Sequence, residues 1–110
     1  MSGYILRGVA FPFPGGRFPE RLGAVVQRTV LTGEEPARVV IHDEENDWLV
    51  GDGVNDPDLP GASVIACIAT IADTDPGLAE LATLPVGRIA RRDEAGKPWT
   101  VDPHTWPDDL

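Results

Sequence analysis

Apolar and polar positions alternate most clearly over residues 39–53, where two apolar runs flank a short acidic segment. The first run is V-V-I-H, the acidic segment is D-E-E-N-D, and the second run, W-L-V-G, begins with a tryptophan. Strand-forming residues on both sides of a segment rich in Asp and Asn are typical of a β-hairpin. The pattern predicts two paired strands with Val39, Ile41 and Trp48 as core residues. It also predicts a turn over 43–47 whose four carboxylates all point into solvent in one direction.

Further strands are predicted on either side of this hairpin, over 4–9, 24–31, 86–92 and 99–101. Residues 24–31 are rich in β-branched side chains, although the spacing of their apolar residues also fits a helix. Consecutive strands joined by short turns favour an antiparallel meander, because neighbouring segments pair most simply in that way.

Two short helices are predicted after the hairpin. Apolar residues recur at helical spacing over 62–72, although the first of these residues can also be extended. The second helix begins with Asp75 as N-cap and Pro76 in the first helical position, and it ends before Pro85. Its inward side chains are Leu78, Leu81 and Leu84. The predicted fold is a single small α+β domain, with a three-strand meander plus a C-terminal strand and two short helices on one face of the sheet.

Segments rich in proline and glycine lie outside these elements. Residues 1–22 contain F-P-F-P-G-G-R-F-P, which forbids a helix or a central strand. We interpret its phenylalanines as a flap packed over the core; a proline-rich ligand for a groove is the alternative. Residues 51–61 form a loop, and residues 95–110 form a C-terminal extension with a fraying end from which Trp106 can pack back. Residues 23–94 constitute the body of the domain.

Length and cysteine content agree with one soluble domain. A chain of 110 residues, 42% of them hydrophobic, can bury roughly two-thirds of its unfolded surface in a single core. Cys67 is the only cysteine, so no intrachain disulfide forms, and we interpret this residue as a small buried hydrophobe. The sequence shows neither a secretory signal nor a membrane span, which favours a cytoplasmic location.

The negative charge is concentrated in the middle of the chain. The formal net charge is −9, yet no lysine or arginine lies between Arg38 and Arg88. That interval holds ten acidic residues: Asp43, Glu44, Glu45, Asp47, Asp52, Asp56, Asp58, Asp73, Asp75 and Glu80. Such a field repels nucleic acids and anionic membranes and attracts a basic protein. The alternative is that the acidity only keeps a small protein soluble. The candidate partner-binding residues are Asp43, Glu44, Glu45, Asp47, Asp52, Asp56 and Asp58, taken as one acidic surface.

Candidate chemistry is sparse. A divalent metal could in principle be bound by His42, Asp43, Glu45 and Asp52, but a histidine beside an acidic turn is usually a strand-end residue. Residues 51–61 lack the order of an EF-hand loop, and neither a nucleophile motif nor a phosphate-binding glycine motif is present. The sequence therefore predicts a non-enzymatic domain without a cofactor or a metal, and a metal-dependent hydrolase is the less favoured alternative.

Residues 24–94 resemble immunity protein family 33, a bacterial family of small domains of unknown function from polymorphic toxin loci. The resemblance depends on the order and spacing of a few positions in this sequence. They are Trp48 and the Gly51-Asp52 pair, the helix-opening Asp75 and Pro76, the apolar Leu81 and Leu84, and the closing Pro85, Gly87 and Arg92.

The resemblance implies a cytoplasmic protein that binds and neutralises a bacterial toxin. Nuclease-like toxins have basic active sites, to which an acidic inhibitor is electrostatically complementary. The expected partner is therefore a basic toxin domain, bound by a monomer or weak homodimer. The alternative is a regulatory or small-ligand module, whose pocket we expect to be lined by Trp48 and the N-terminal phenylalanines.

Overall fold

A computed structural model of the chain describes residues 5–7 and 9–106. The strands are β1 (Gly23–Gln27), β2 (Val39–His42), β3 (Trp48–Gly51), β4 (Ser63–Cys67), β5 (Arg88–Arg91) and β6 (Thr100–Pro103). The α-helices are α1 (Arg28–Thr32), α2 (Ile68–Ala72) and α3 (Pro76–Ala79), and 3-10 turns occupy Pro14–Gly16 and Glu80–Thr83. No helix in this part of the chain is long and apolar enough to span a bilayer.

The six strands form one mixed sheet in the order β4-β1-β3-β2-β5-β6, so the α+β class is confirmed. The hairpin of β2 and β3 is also confirmed, since Val40 lies opposite Val50 and His42 opposite Trp48. The predicted meander is wrong. β1 pairs in parallel with β3 instead of antiparallel with β2, and β4 adds to its other side. Residues 28–38, which include α1, form a long connection that carries the chain from β1 past the position of β3 to β2.

One face of the sheet forms the core. Its main side chains are Ala24, Val26, Val40, His42, Trp48, Val50 and Ala90, all buried. Val39 and Ile41 were predicted to point into this core, but they lie on the opposite face and are only half-buried. Successive side chains of a strand point to opposite faces of the sheet, so assigning one residue of β2 to the wrong face misplaces every other residue as well. The inward-facing residues of β2 include the polar His42, and for this reason the sequence pattern favoured the opposite assignment.

The helical predictions are partly confirmed. Asp75 accepts a hydrogen bond from the backbone N–H of Leu78 at the start of α3, and Pro76 is the first helical residue. Leu78, Leu81 and Leu84 are all buried, as expected. Residues 62–72, predicted as one helix, divide into β4 and the five-residue α2. Residues 24–31 likewise divide into β1 and α1.

The N-terminal phenylalanines pack over the core, as predicted for a flap. Phe13 is buried, and Phe11 and Phe18 pack against the same cluster. The ring centroid of Phe18 lies 5.1 Å from that of Trp48 in an edge-on contact. For the strand predicted over residues 4–9, Leu6 forms an isolated bridge with Leu22, whereas positions 4 and 8 lie outside the described residues. The tail beyond residue 106 is also outside them.

Candidate functional site

The acidic turn, residues 43–47, is organised by one of its own carboxylates. Oδ1 of Asp43 accepts hydrogen bonds from the backbone N–H groups of Glu45 at 3.0 Å and Asp47 at 2.9 Å. Asn46 adopts a left-handed conformation with φ of 65°, which an asparagine tolerates better than most residues. Asp43 is therefore buried, and the prediction that it points into solvent is wrong because its oxygens satisfy the turn's own backbone.

The remaining carboxylates of the acidic turn face outward. Glu44 and Glu45 are exposed, and Asp47 is partly exposed with an ion pair to Arg7 at 3.0 Å. The indole Nε1 of Trp106 donates to Oδ2 of Asp43 at 3.3 Å, which anchors the C-terminal segment against the turn. Trp106 is nevertheless 46% exposed. An exposed aromatic ring and outward carboxylates thus share one end of the sheet.

His42 is not available to a metal at this turn. Its Nδ1 lies 2.7 Å from the carbonyl oxygen of Leu84, and its Nε2 lies 2.6 Å from Oδ1 of Asn46. The ring is fully buried and stacks on Trp48 with 3.9 Å between centroids. Oxygens of Asp43, Glu45 and Asp47 do lie within 4.8 Å of one another. However, Oδ1 of Asp43 already accepts two backbone hydrogen bonds, and Oδ1 of Asp47 is paired with Arg7.

A second carboxylate organises the acidic loop, residues 52–58. Oδ1 of Asp52 accepts from the backbone N–H groups of Val54 and Asn55, both at 2.8 Å. Its Oδ2 accepts from the Thr29 hydroxyl at 2.5 Å and from the side-chain amide of Asn55 at 2.7 Å. Burial alone would raise the pKa of Asp52, but these hydrogen bonds to the charged form outweigh it and lower the pKa from 3.8 to about 2. Asp52 is therefore a structural anion.

The predicted acidic surface is not continuous. The acidic turn precedes β3 and the acidic loop follows it, so about 16 Å of extended chain separates the two. Asp56 and Asp58 are exposed at the loop end, whereas Asp52 is fully buried. The structure accordingly does not bring the metal set of His42, Asp43, Glu45 and Asp52 together, because Asp52 lies at the opposite end of β3.

Two of the residues that carry the family resemblance form an ion pair between a buried guanidinium and a half-buried carboxylate. The guanidinium of Arg92 binds the Asp75 carboxylate through Nη2 and Oδ2, and its Nε donates to the Ala37 carbonyl at 2.8 Å. The Trp99 ring lies 4.2 Å from Cζ of Arg92, and the Trp99 indole donates to the Gly77 carbonyl at 2.8 Å. These contacts hold α3 against β5 and against the segment before β6. Asp75, Arg92 and Trp99 therefore stabilise the fold.

The other residues of that pattern also serve the fold. Gly87 has φ of 80°, its N–H donates to the His42 carbonyl at 2.7 Å, and its carbonyl accepts from His104 N–H at 2.8 Å. A Cβ on Gly51 would lie 3.2 Å from Oε1 of Gln27, which in turn accepts from the Asp52 backbone N–H. Trp48, Leu81 and Leu84 are core residues, and Pro85 is exposed.

Concave surfaces exist away from the acidic turn. An open cleft of about 990 Å³ lies between α3 and the segment 94–98, lined by both cations and carboxylates. A second cleft of about 580 Å³ beside β5 includes Arg38, Arg91 and Lys97. Trp48 is only 1% exposed because aromatic rings and other core side chains enclose it. The pocket expected around Trp48 is therefore filled by the protein's own side chains.

Sequence reasoning missed the residues that hold the two acidic segments in shape. Gln27 at the end of β1 and Thr29 in α1 both contact Asp52. Asn46 links His42 to the Val9 carbonyl. The available signal was the Asp-x-x-Asn spacing of Asp52 and Asn55, which is typical of a side chain that caps its own loop.

No family model matches this sequence, and neither a curated protein nor a solved structure matches it.

Proposed function

We propose that this chain is a non-enzymatic protein-binding domain that engages a basic protein through the acidic turn and Trp106. The observation that most directly supports this proposal is the hydrogen bond from Trp106 to Asp43, which holds an exposed indole beside Glu44 and Glu45. Tryptophan is among the residues that contribute most to protein interfaces, and a surrounding rim of charge steers the partner and increases the association rate.

In its more specific form, the proposal makes the partner a basic toxin domain that the chain neutralises. The support is the resemblance of residues 24–94 to immunity protein family 33, together with the absence of cations between Arg38 and Arg88. A toxin that acts on nucleic acid needs a cationic surface for phosphates, and carboxylates placed against that surface would compete with them.

The test captures partners from a lysate of the native cells on the immobilised chain and then measures affinity for the purified captured protein. A Glu44→Gln/Glu45→Gln variant is expected to slow association severalfold at about 50 mM salt, with the difference fading at about 500 mM as charges are screened. Trp106→Ala should speed dissociation by about 30-fold, the loss typical of a central aromatic contact. Co-expression of the captured protein with and without the chain then measures neutralisation as rescued growth.

The matched control removes the same charge from the other end of the sheet. Asp56→Asn/Asp58→Asn changes two exposed acids of the acidic loop and should leave association nearly unchanged. Equal rates for the two double variants would show that only net charge matters. Unaltered binding by Glu44→Gln/Glu45→Gln and by Trp106→Ala would refute the proposed surface.

A further inference from the structure

The outer edge of β4 carries a row of backbone groups with no strand beside it in the described part of the chain. Hydrogen bonds between antiparallel strands alternate along each strand. Ile68 N–H donates to the Leu22 carbonyl at 3.1 Å, and Arg28 N–H donates to the Ala62 carbonyl at 2.7 Å. The backbone N–H and C=O groups of the even-numbered residues of this segment therefore point towards β1. The backbone N–H and C=O groups of Ser63, Ile65 and Cys67 point towards the open edge.

This edge lacks the usual protection against pairing. Natural edge strands carry charges, prolines or bulges that discourage a second strand. β4 reads S-V-I-A-C, has neither charge nor proline, and pairs with β1 at five consecutive positions without a bulge. The opposite edge, β6, contains Asp102 and Pro103. Ile65 is 45% exposed, so the unprotected edge is also apolar.

We propose that β4 pairs antiparallel with β4 of a second copy, about a two-fold axis at Ile65. In this register Ile65 faces Ile65 of the second copy, and Ser63 faces its Cys67. All three positions direct backbone groups outward, so the pairing satisfies three N–H and three C=O groups on each copy. Two six-stranded sheets then become one continuous sheet of twelve described strands.

Side chains and charge both favour a second copy in this orientation. Ile65 continues a row that contains Val25, Leu49 and Ile41 on the outer face of the sheet, so the joint extends one aliphatic surface into another. The acidic loop leads into the N-terminal end of β4. Antiparallel pairing places the two acidic loops at opposite ends of the joint, whereas parallel pairing would bring like charges together.

The first experiment is sedimentation equilibrium over about 10 to 300 µM protein at about 50 mM and 500 mM salt. The chain should sediment as a dimer at the upper concentrations and dimerise more tightly in high salt, because each copy has a net charge of −9. Ile65→Lys places like charges face to face and should weaken the dimer at least about tenfold. Val101→Lys is the matched control, since Val101 lies in β6 and is 47% exposed. Circular dichroism verifies that both variants are folded.

The register is tested by oxidative cross-linking. Directly opposed Cα atoms in a hydrogen-bonded antiparallel pair lie about 5.5 Å apart, which a disulfide can span. Ile65→Cys in a Cys67→Ser background should give a covalent dimer, and Val101→Cys in the same background should not. A wild-type chain that stays monomeric throughout, an Ile65→Lys variant as dimeric as wild type, or equal cross-linking at the two positions would each overturn the proposal. Tighter self-association at high salt also distinguishes this contact from the acidic-turn interaction, which weakens there.

Discussion

Replacing Asp52 with asparagine tests whether a carboxylate of the acidic loop stabilises the fold and is therefore unavailable to a partner. The carboxylate accepts four hydrogen bonds and is fully buried. In Asp52→Asn the oxygen can still accept from Val54 and Asn55 N–H groups. The new NH₂ group then faces the side-chain NH₂ of Asn55, and two donors oppose each other.

The expected loss is about 3 kcal/mol at neutral pH. The fall of the pKa from 3.8 to about 2 is equivalent to about 2 kcal/mol, at about 1.4 kcal/mol per tenfold change in the dissociation constant. The opposed donors add about 1 kcal/mol. Because the folded-state pKa lies below the unfolded value, the ionised carboxylate stabilises the fold above about pH 4. This stabilisation is lost as the pH falls from about 4 through about 2.

Urea unfolding followed by tryptophan fluorescence measures the difference between wild type and Asp52→Asn at about pH 7, 5, 4 and 2.5. The difference should be constant at the upper two values and should shrink towards the lowest. Asp56→Asn, an exposed change in the same loop, is the control and should alter stability by less than about 0.5 kcal/mol. A loss below about 1 kcal/mol at neutral pH, or a difference that does not shrink at low pH, would refute the reasoning.

Further variants test the cluster of Asp75, Arg92 and Trp99 that holds α3 against β5. Asp75→Asn leaves the buried guanidinium of Arg92 without its counter-charge and should lower the free energy of unfolding by about 3 kcal/mol in a urea titration. A double variant that adds Arg92→Met should lose less than the sum of the two single changes, and strict additivity would contradict the pairing. Gly77→Ala would normally stabilise a helix, but here the new Cβ would lie 2.5 Å from Nη1 of Arg92. We therefore expect a lower melting temperature by calorimetry, and a rise would show that the guanidinium can move aside.

Features determined by neighbouring residues were predictable from the sequence. The hairpin of β2 and β3 follows from two apolar runs and a turn whose Asp and Asn side chains bond their own backbone. The start of α3 follows from Asp75 and Pro76, which are favourable at those two positions wherever the helix lies.

Features that depend on residues far apart in the chain were not predictable from the sequence. Whether Ser63–Cys67 becomes a strand depends on the edge of β1 to which it pairs, and the local sequence pattern does not contain that information. The inward face of β2 contains His42 because distant groups, the Leu84 carbonyl and the flap ring of Phe11, surround the imidazole. The Asp52 carboxylate is buried because Thr29, 23 positions earlier, donates to it.

The two proposed contacts use separate parts of one sheet, and this separation determines how they can combine. β1 and β3 lie between β4 and the strand that leads into the acidic turn, so with about 4.8 Å between strands the dimer edge is roughly 14 Å from β2. A dimer joined at β4 would therefore leave Glu44, Glu45 and Trp106 of both copies accessible. It would present two equivalent acidic turns, related by the two-fold axis, to two basic partners. Because the proposals predict that salt strengthens one contact and weakens the other, a salt titration of the wild-type chain is expected to separate their contributions.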